Sequence, residues 1–208
     1  MNTSRTDFNA TWLSEMPAGL GSFETFDALE YHIRDLIKNG KKPQQVKDDL
    51  FKIDMDNSVY YWYSSDDQIV LGAGLDKKPQ ALVINLTGKN PQYRNRAPYA
   101  SDLYHAILRD TSANIRVVSD TQMSDSGYAI WKNLLQRGHT ISVYDRENPG
   151  KSFKTLNSVA EMDQFFRDDD TDYARYQFVL SEKNAIAECR SFFHTRRYRE
   201  LSGLLLED

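Results

Sequence analysis

The chain has one cysteine, Cys189, and only six prolines and ten glycines among its 208 residues. A lone cysteine excludes an intramolecular disulfide and leaves no thiolate set for a structural zinc. The four histidines, His32, His105, His139 and His194, are scattered, with no pair at metal-ligand spacing. Long apolar runs are also missing. No stretch approaches a membrane span, and the opening MNTSRTDFNATWLSEMP holds no apolar core of a signal sequence. The expectation is a soluble cytoplasmic protein without a membrane partner. Positive charge is not in excess: 26 Lys and Arg stand against 30 Asp and Glu, a net −4. That disfavours a bulk grip on nucleic acid and leaves only a local basic patch open. No P-loop, dinucleotide fingerprint or nucleophile elbow occurs, which removes the main support for nucleotide triphosphatase, Rossmann oxidoreductase and serine hydrolase readings.

What is present is globular: 40% hydrophobic and 12% aromatic residues, in a length that suits one domain with an appendage. Residues 1–22 are polar with scattered anchors at Phe8, Trp12, Leu13 and Met16, and end in the loop signal PAGLGS. Phe26, Leu29, Ile33 and Leu36 repeat at helical spacing behind Thr25 as a cap, and Asn39–Gly40 stops the helix. A second short helix is predicted over 44–51. The period then changes to strands at 58–65, 68–75 and 80–88, joined by short turns at Asp66–Asp67 and DKKP. A helix is expected from Tyr99 to Arg109, a strand at 114–120, a helix at 124–138 with Ser124 as N-cap, and a strand at 139–145. A short helix at 158–166 behind Ser158, the acidic turn RDDDTD, a strand at 173–181 and a long closing helix complete the order. This predicts an α/β (α+β) fold, a mixed and mostly antiparallel sheet with helices on its faces.

The stretch QYRNRAP (92–98) falls between a strand and a helix N-terminus, where backbone N–H groups can face a phosphate. Gln92, Tyr93, Arg94, Asn95, Arg96 and Ala97 match, at the first and last positions, a signature of Gln or Arg, two residues, Gly, one residue, then Gly or Ala. Together with the meander before it and the strand–helix–strand after it, this segment resembles the GNAT superfamily of N-acetyltransferases over roughly residues 58–145. Asn95 replaces the inner glycine, being the residue after glycine best suited to a left-handed backbone. Pro98 lacks an N–H and restricts Ala97, while Arg94 and Arg96 can supply side-chain phosphate ligands. A second family feature, Asn, two residues, Ala, three residues and Tyr, overlays Ser124, Gly127 and Trp131. An indole N–H cannot act as a general acid, and Tyr128, one turn earlier, is the nearest phenol. The stretches YASDLY and SDTQMSDSGYAIWKNL are similar to divergent GNAT-like proteins of bacteriophages and their hosts.

The resemblance implies a core at 57–146, an N-terminal helical segment at 1–56 packed on it and a strand–helix extension at 147–208. It implies acyl transfer from acetyl-CoA or a related thioester to an amine on a protein, small molecule or modified base. Gln92, Arg94, Asn95, Arg96, Ala97 and Tyr99 would hold the cofactor, and Ser119, Asp120, Ser124 and Tyr128 would lie at the acceptor. A carboxylate such as Asp120 can deprotonate an amine, although Ser119, Asp120, Ser124 and Asp125 are residue types favoured for capping and turning the chain, and that is the preferred reading of them. The alternative is a GNAT-shaped protein without catalysis that acts through protein contacts. The basic stretch HTRRYRE (194–200) and the leucines at 201 and 204–206 would then be interface material, with a homo-oligomer through the last helix as one form. In YYWY (60–63), alternation sends Tyr60 and Trp62 to one face and Tyr61 and Tyr63 to the other.

Overall fold

The computed structural model describes residues 22–112, 115–120, 123–145, 154–166 and 175–181. The expectations for residues 1–21, the RDDDTD turn and the closing helix, including its basic patch and leucines, lie outside the described residues. Helix α1 (Ser22–Lys38) carries the apolar stripe that the spacing predicts: Phe26, Leu29 and Ile33 are buried. It begins a turn earlier than Thr25. It ends in a Schellman motif, with Gly40 at φ +85° and Lys41 N–H donating to the Leu36 carbonyl at 3.0 Å.

The predicted helix at 44–51 is instead a hairpin of β1 (Gln44–Lys47) and β2 (Leu50–Asp54). Val46, Leu50 and Ile53 fit a helical stripe as well as a strand, so local pattern does not choose. The aromatic edge of β3 (Ser58–Ser65) does: Phe51 pairs across from Trp62 and stacks on it at 6.0 Å, while Asp48 makes the turn at φ +44°. Strands β4 (Gln68–Lys78) and β5 (Ala81–Lys89) continue the antiparallel meander. Asp66 and Asp67 turn between β3 and β4 with positive φ, as a tight hairpin requires. The expected DKKP turn lies later, because β4 runs on through Lys78.

After β5 a 3-10 turn (Pro91–Tyr93) leads to α2 (Ala100–Asp110) and then to β6 (Arg116–Val118), which pairs parallel to β5. Helix α3 (Asp125–Gln136) is capped by Ser124 and followed by Gly138 at φ +82°, then β7 (Thr140–Asp145). The two-residue strand β8 (Lys154–Thr155) has no counterpart in the predicted order. Helix α4 (Val159–Met162) starts at the Ser158 cap, a 3-10 turn extends it to Phe165, and β9 (Tyr176–Ser181) closes the described chain. The nine strands form one sheet ordered β1-β2-β3-β4-β5-β6-β9-β7-β8, so β9 inserts antiparallel between β6 and β7. It is a mixed, mostly antiparallel sheet flanked by helices, as expected. Strands from before residue 57 and after residue 146 belong to it.

The pleat gives two large cores and a smaller cluster of Val83, Val118 and Val179. Helices α2, α3 and α4 cover one face through Leu103, Ile107, Trp131, Leu134 and Met162, against Tyr61, Leu71, Ile84 and Phe178. Helix α1 covers the other through Phe26, Leu29 and Ile33, against Ile53, Tyr60, Trp62 and Ile69. Tyr60 and Trp62 thus face α1 while Tyr61 faces α2, as alternation requires. Among the described residues no helix is long and apolar enough to cross a membrane.

Candidate functional site

Strands β5 and β6 pair only at Ala81–Arg116, Leu82–Val117 and Val83–Val118. Beyond that point β6 ends while β5 continues to Lys89, so the sheet parts into a wedge. A cavity of about 530 Å³ fills it. Its walls are the far half of β5, the segment after β6, and the facing turns of α2 and α3. This is the carboxyl end of a parallel pair, where helix N-termini and strand ends converge and ligands of open sheets gather.

The cavity reaches both faces of the sheet. Thr87, whose hydroxyl meets Tyr104 of α2, lines it from one face; Gly88, which lies against Phe26 of α1, and Thr25 of α1 line it from the other. A β-bulge in β5 leaves Asn85 opposite no residue of β4, between the pairs Leu75–Ile84 and Gly74–Leu86. Asn85 lines the cavity, and its amide donates to Asp76 Oδ1 at 2.8 Å.

Of the six residues expected to hold a cofactor, only Arg94 lines the cavity, flanked by Pro91 and Ala100. The loop spends most of its donors on itself. Gln92 N–H donates to Asn90 Oδ1 at 3.0 Å, Tyr93 N–H to the Asn90 carbonyl at 2.9 Å, and Arg94 N–H to the Pro91 carbonyl at 3.2 Å. Arg96 N–H donates to the Tyr93 carbonyl at 3.0 Å, and Tyr99 N–H to Asp102 Oδ2 at 2.9 Å. Asp102 thereby occupies the first turn of α2 and pairs with Arg137 at 2.6 Å. Burial alone would raise the Asp102 carboxyl; the Tyr99 and Arg137 hydrogen bonds outweigh it and hold the group below its usual range. Arg94 and Arg96 bear their guanidinium groups on a loop closed by Lys89, whose ammonium donates to the Arg96 and Pro98 carbonyls. The same ammonium lies 4.8 Å from the Tyr99 ring centroid, and the Ala97–Pro98 peptide is cis. Burial lowers the Lys89 ammonium from its ordinary value, against an opposing pull from Asp102.

The four expected acceptor-side residues separate. Ser119, Asp120 and Ser124 line the cavity. Ser119 is buried and laces β6 to β9: its hydroxyl accepts from Phe178 N–H at 2.9 Å and its carbonyl accepts from the Gln177 amide at 2.7 Å. Ser124 caps α3 by accepting from Gly127 N–H at 3.2 Å. Tyr128 turns away. Its hydroxyl donates to Asp163 at 2.5 Å, its ring stacks on Phe166 at 3.9 Å, and it locks α3 to the α4 turn. Burial, then the Asp163 hydrogen bond and charge, push its phenol well above the ordinary range.

A phenol that no local sequence signal singles out also reaches the cavity. Tyr104 of α2 is buried, lines the wedge, and holds its hydroxyl 2.8 Å from the Thr87 hydroxyl. Trp131, also on the wall, packs against its ring with centroids 5.8 Å apart. Tyr104 sits on the buried stripe of α2 with Leu103 and Ile107, so the sequence pattern marks it only as core. Among the described residues no group of three His, Cys, Asp or Glu side chains could hold a metal ion.

No protein-family model matches the chain, and no curated protein is significantly similar to it. A solved structure of a Bacteroides thetaiotaomicron protein, assigned to the GNAT family of acetyltransferases, is similar with a TM-score of 0.36 and 13% identity. The match covers 68% of this chain and 71% of that one.

Proposed function

We propose that the wedge binds an acyl thioester of coenzyme A and passes its acyl group to an amine. The observation that carries this reading is the parting of β5 from β6, which leaves a strand edge open beside a cavity of about 530 Å³. An extended pantetheine arm has two amides and can pair with such an edge as an added strand would. The charges along the walls differ in sign: Lys89 and Arg94 belong to the β5–α2 side, Asp120 to the end of β6. Arg94 would meet phosphate oxygens through its fork of donors, and Asp120 would take a proton from the attacking amine directly or through water. With the loop's backbone donors engaged internally, side chains rather than a glycine cradle would carry the phosphate contact. Asn85 at the bulge would orient the thioester at the narrow end.

Calorimetric titration with acetyl-CoA tests this. Micromolar binding is expected. Arg94→Ala should weaken it about tenfold, the scale of one charge-assisted hydrogen bond, while Arg96→Ala, outside the cavity wall, should leave it within about twofold. No heat at millimolar acetyl-CoA would sink the proposal. The self-satisfied loop favours a second reading, a cleft of this shape that binds without catalysis. Acetyl-CoA binding without release of thiol in the presence of amines would establish it.

A further inference from the structure

We infer that the wedge reads its donor through the phosphopantetheine arm alone, with the Trp131 indole N–H bonded to that arm, and gains nothing from an adenine nucleotide. The donor class is then any acyl phosphopantetheine thioester, whether coenzyme A or a carrier protein bears the arm. The inference rests on the acyl-transfer reading above and deepens it. Trp131 is 2% exposed and lines the wedge. Its contacts are aromatic, with ring centroids 5.8 Å from Tyr104 and 6.0 Å from Phe178, and no described group accepts from its indole N–H. Yet among the described residues no buried side-chain nitrogen or oxygen is sealed off without a partner. The indole nitrogen therefore meets open space, and the open space beside Trp131 is the wedge. A buried tryptophan ordinarily finds an acceptor for this group. An indole N–H can only donate, so the partner it lacks is an acceptor oxygen of the ligand. The wall around it is apolar, with Leu71, Ile84, Met123 and Ile130, and disfavours a charged oxygen. An amide carbonyl within a flexible, mostly hydrocarbon arm meets both demands. The Tyr104–Thr87 hydroxyl pair on the same wall can accept from an amide N–H of the arm.

The nucleotide end of the site is closed to a pyrophosphate. The backbone N–H groups of Gln92, Tyr93, Arg94 and Arg96 donate within the loop, that of Tyr99 donates to Asp102, and Pro98 has none. The Asp102 carboxylate, bonded to Tyr99 N–H and Arg137, sets a negative charge in the first turn of α2. That is where a second phosphate would otherwise gain from the helix dipole. Of the loop's guanidinium groups only Arg94 reaches the cavity wall, and the Lys89 ammonium is spent on the Arg96 and Pro98 carbonyls. One guanidinium suits one phosphate. Coenzyme A carries a pyrophosphate and a further ribose phosphate. A loop whose donors are engaged, and which presents a carboxylate, gives those extra charges nothing to bind.

Calorimetry on the wild-type chain tests this with acetyl-CoA, acetyl-phosphopantetheine, acetyl-pantetheine and adenosine bisphosphate as probes. Acetyl-CoA and acetyl-phosphopantetheine should bind within about threefold of each other. Acetyl-pantetheine, which lacks the phosphate, should bind about tenfold more weakly, the scale of one charge-assisted hydrogen bond. Adenosine bisphosphate should neither bind nor compete at millimolar concentration. Trp131→Phe keeps a ring in place and removes the N–H, so it should weaken every thioester about fivefold. Arg94→Ala should weaken only those that carry phosphate. Acetylated acyl carrier protein, which bears the arm without a nucleotide, should displace acetyl-phosphopantetheine, and the carrier protein without its arm should not. Displacement by acetyl-CoA alone overturns the wider donor class. Acetyl-phosphopantetheine bound more than about tenfold more weakly than acetyl-CoA overturns the inference, as does competition by adenosine bisphosphate or unchanged affinity in Trp131→Phe. If Trp131→Phe fails to fold, the probe comparison in wild type still decides. If acetyl-CoA binds and acetyl-phosphopantetheine does not, the acyl-transfer reading stands and this inference falls. If no thioester binds, both fall.

Discussion

Replacing Gly88 with alanine should loosen the joint between α1 and the sheet. Gly88 is not in a left-handed conformation, so a methyl group there carries no backbone penalty. In an open strand the exchange would even gain about 0.5–1 kcal/mol from reduced chain entropy. Here the added Cβ would lie 2.7 Å from Phe26 Cα and 3.1 Å from Phe26 N. Those atoms are helix backbone and cannot swing aside as a side-chain tip can, so α1 must move. Overpacking of this kind costs about 1–3 kcal/mol. Set against that entropy gain, a net loss of about 1 kcal/mol corresponds to a drop of roughly 2–4 °C in Tm for a chain of this size. The assay is thermal unfolding followed by circular dichroism, with Gly88→Ala beside wild type. Because Gly88 and Thr25 both line the wedge, acetyl-CoA affinity should fall in the same variant. A Tm equal to or above that of wild type would refute the close approach of α1 to β5.

Gly127→Ala should behave in the opposite way. Its new methyl would meet the flexible Met123 side chain at 3.0 Å, and alanine is favoured over glycine inside a helix by about 1 kcal/mol. The expectation is a Tm unchanged or raised by roughly 2–4 °C, and a clear loss would contradict it. Stability should also fall on mild acidification. His139 is lowered from its ordinary value by burial, and further by His105 and Arg137, while His32 is lowered by burial. A histidine depressed in the folded state contributes stability that is complete above its unfolded value of about 6.5 and is lost as pH falls below it. The urea midpoint should therefore decrease between pH 7 and pH 5, a range above the unfolded carboxylate values, and His139→Gln should flatten part of the slope. A midpoint that is constant or rises over that range would show that neither histidine is held neutral by the fold.

How much of this was legible in the chain follows from the range of the interactions. The α1 stripe, the Gly40 stop, the Asp66–Asp67 hairpin and the Ser124 and Ser158 caps are decided within a few residues, by helical period, left-handed tolerance and hydroxyl capping. The sequence by itself therefore determined most of the elements and the mixed, mostly antiparallel class. It also located the strand–loop–helix passage at 92–99, because a change of period is a local signal.

Tertiary structure decided the rest. Val46, Leu50 and Ile53 suit a helix or a strand, and only the edge of β3, with Trp62 to stack on Phe51, makes them a hairpin. β9 enters between β6 and β7 from more than thirty residues away, held by Ser119 and Gln177 across the join. Tyr104 reads as one more core position until the sheet parts opposite it and Thr87 stands within hydrogen-bond reach. Tyr128 reads as a candidate until Asp163 claims its hydroxyl. Side-chain chemistry is written in the residue type, but which group faces a cavity depends on contacts between segments far apart in the chain. Those contacts exist only after the apolar faces have been buried together.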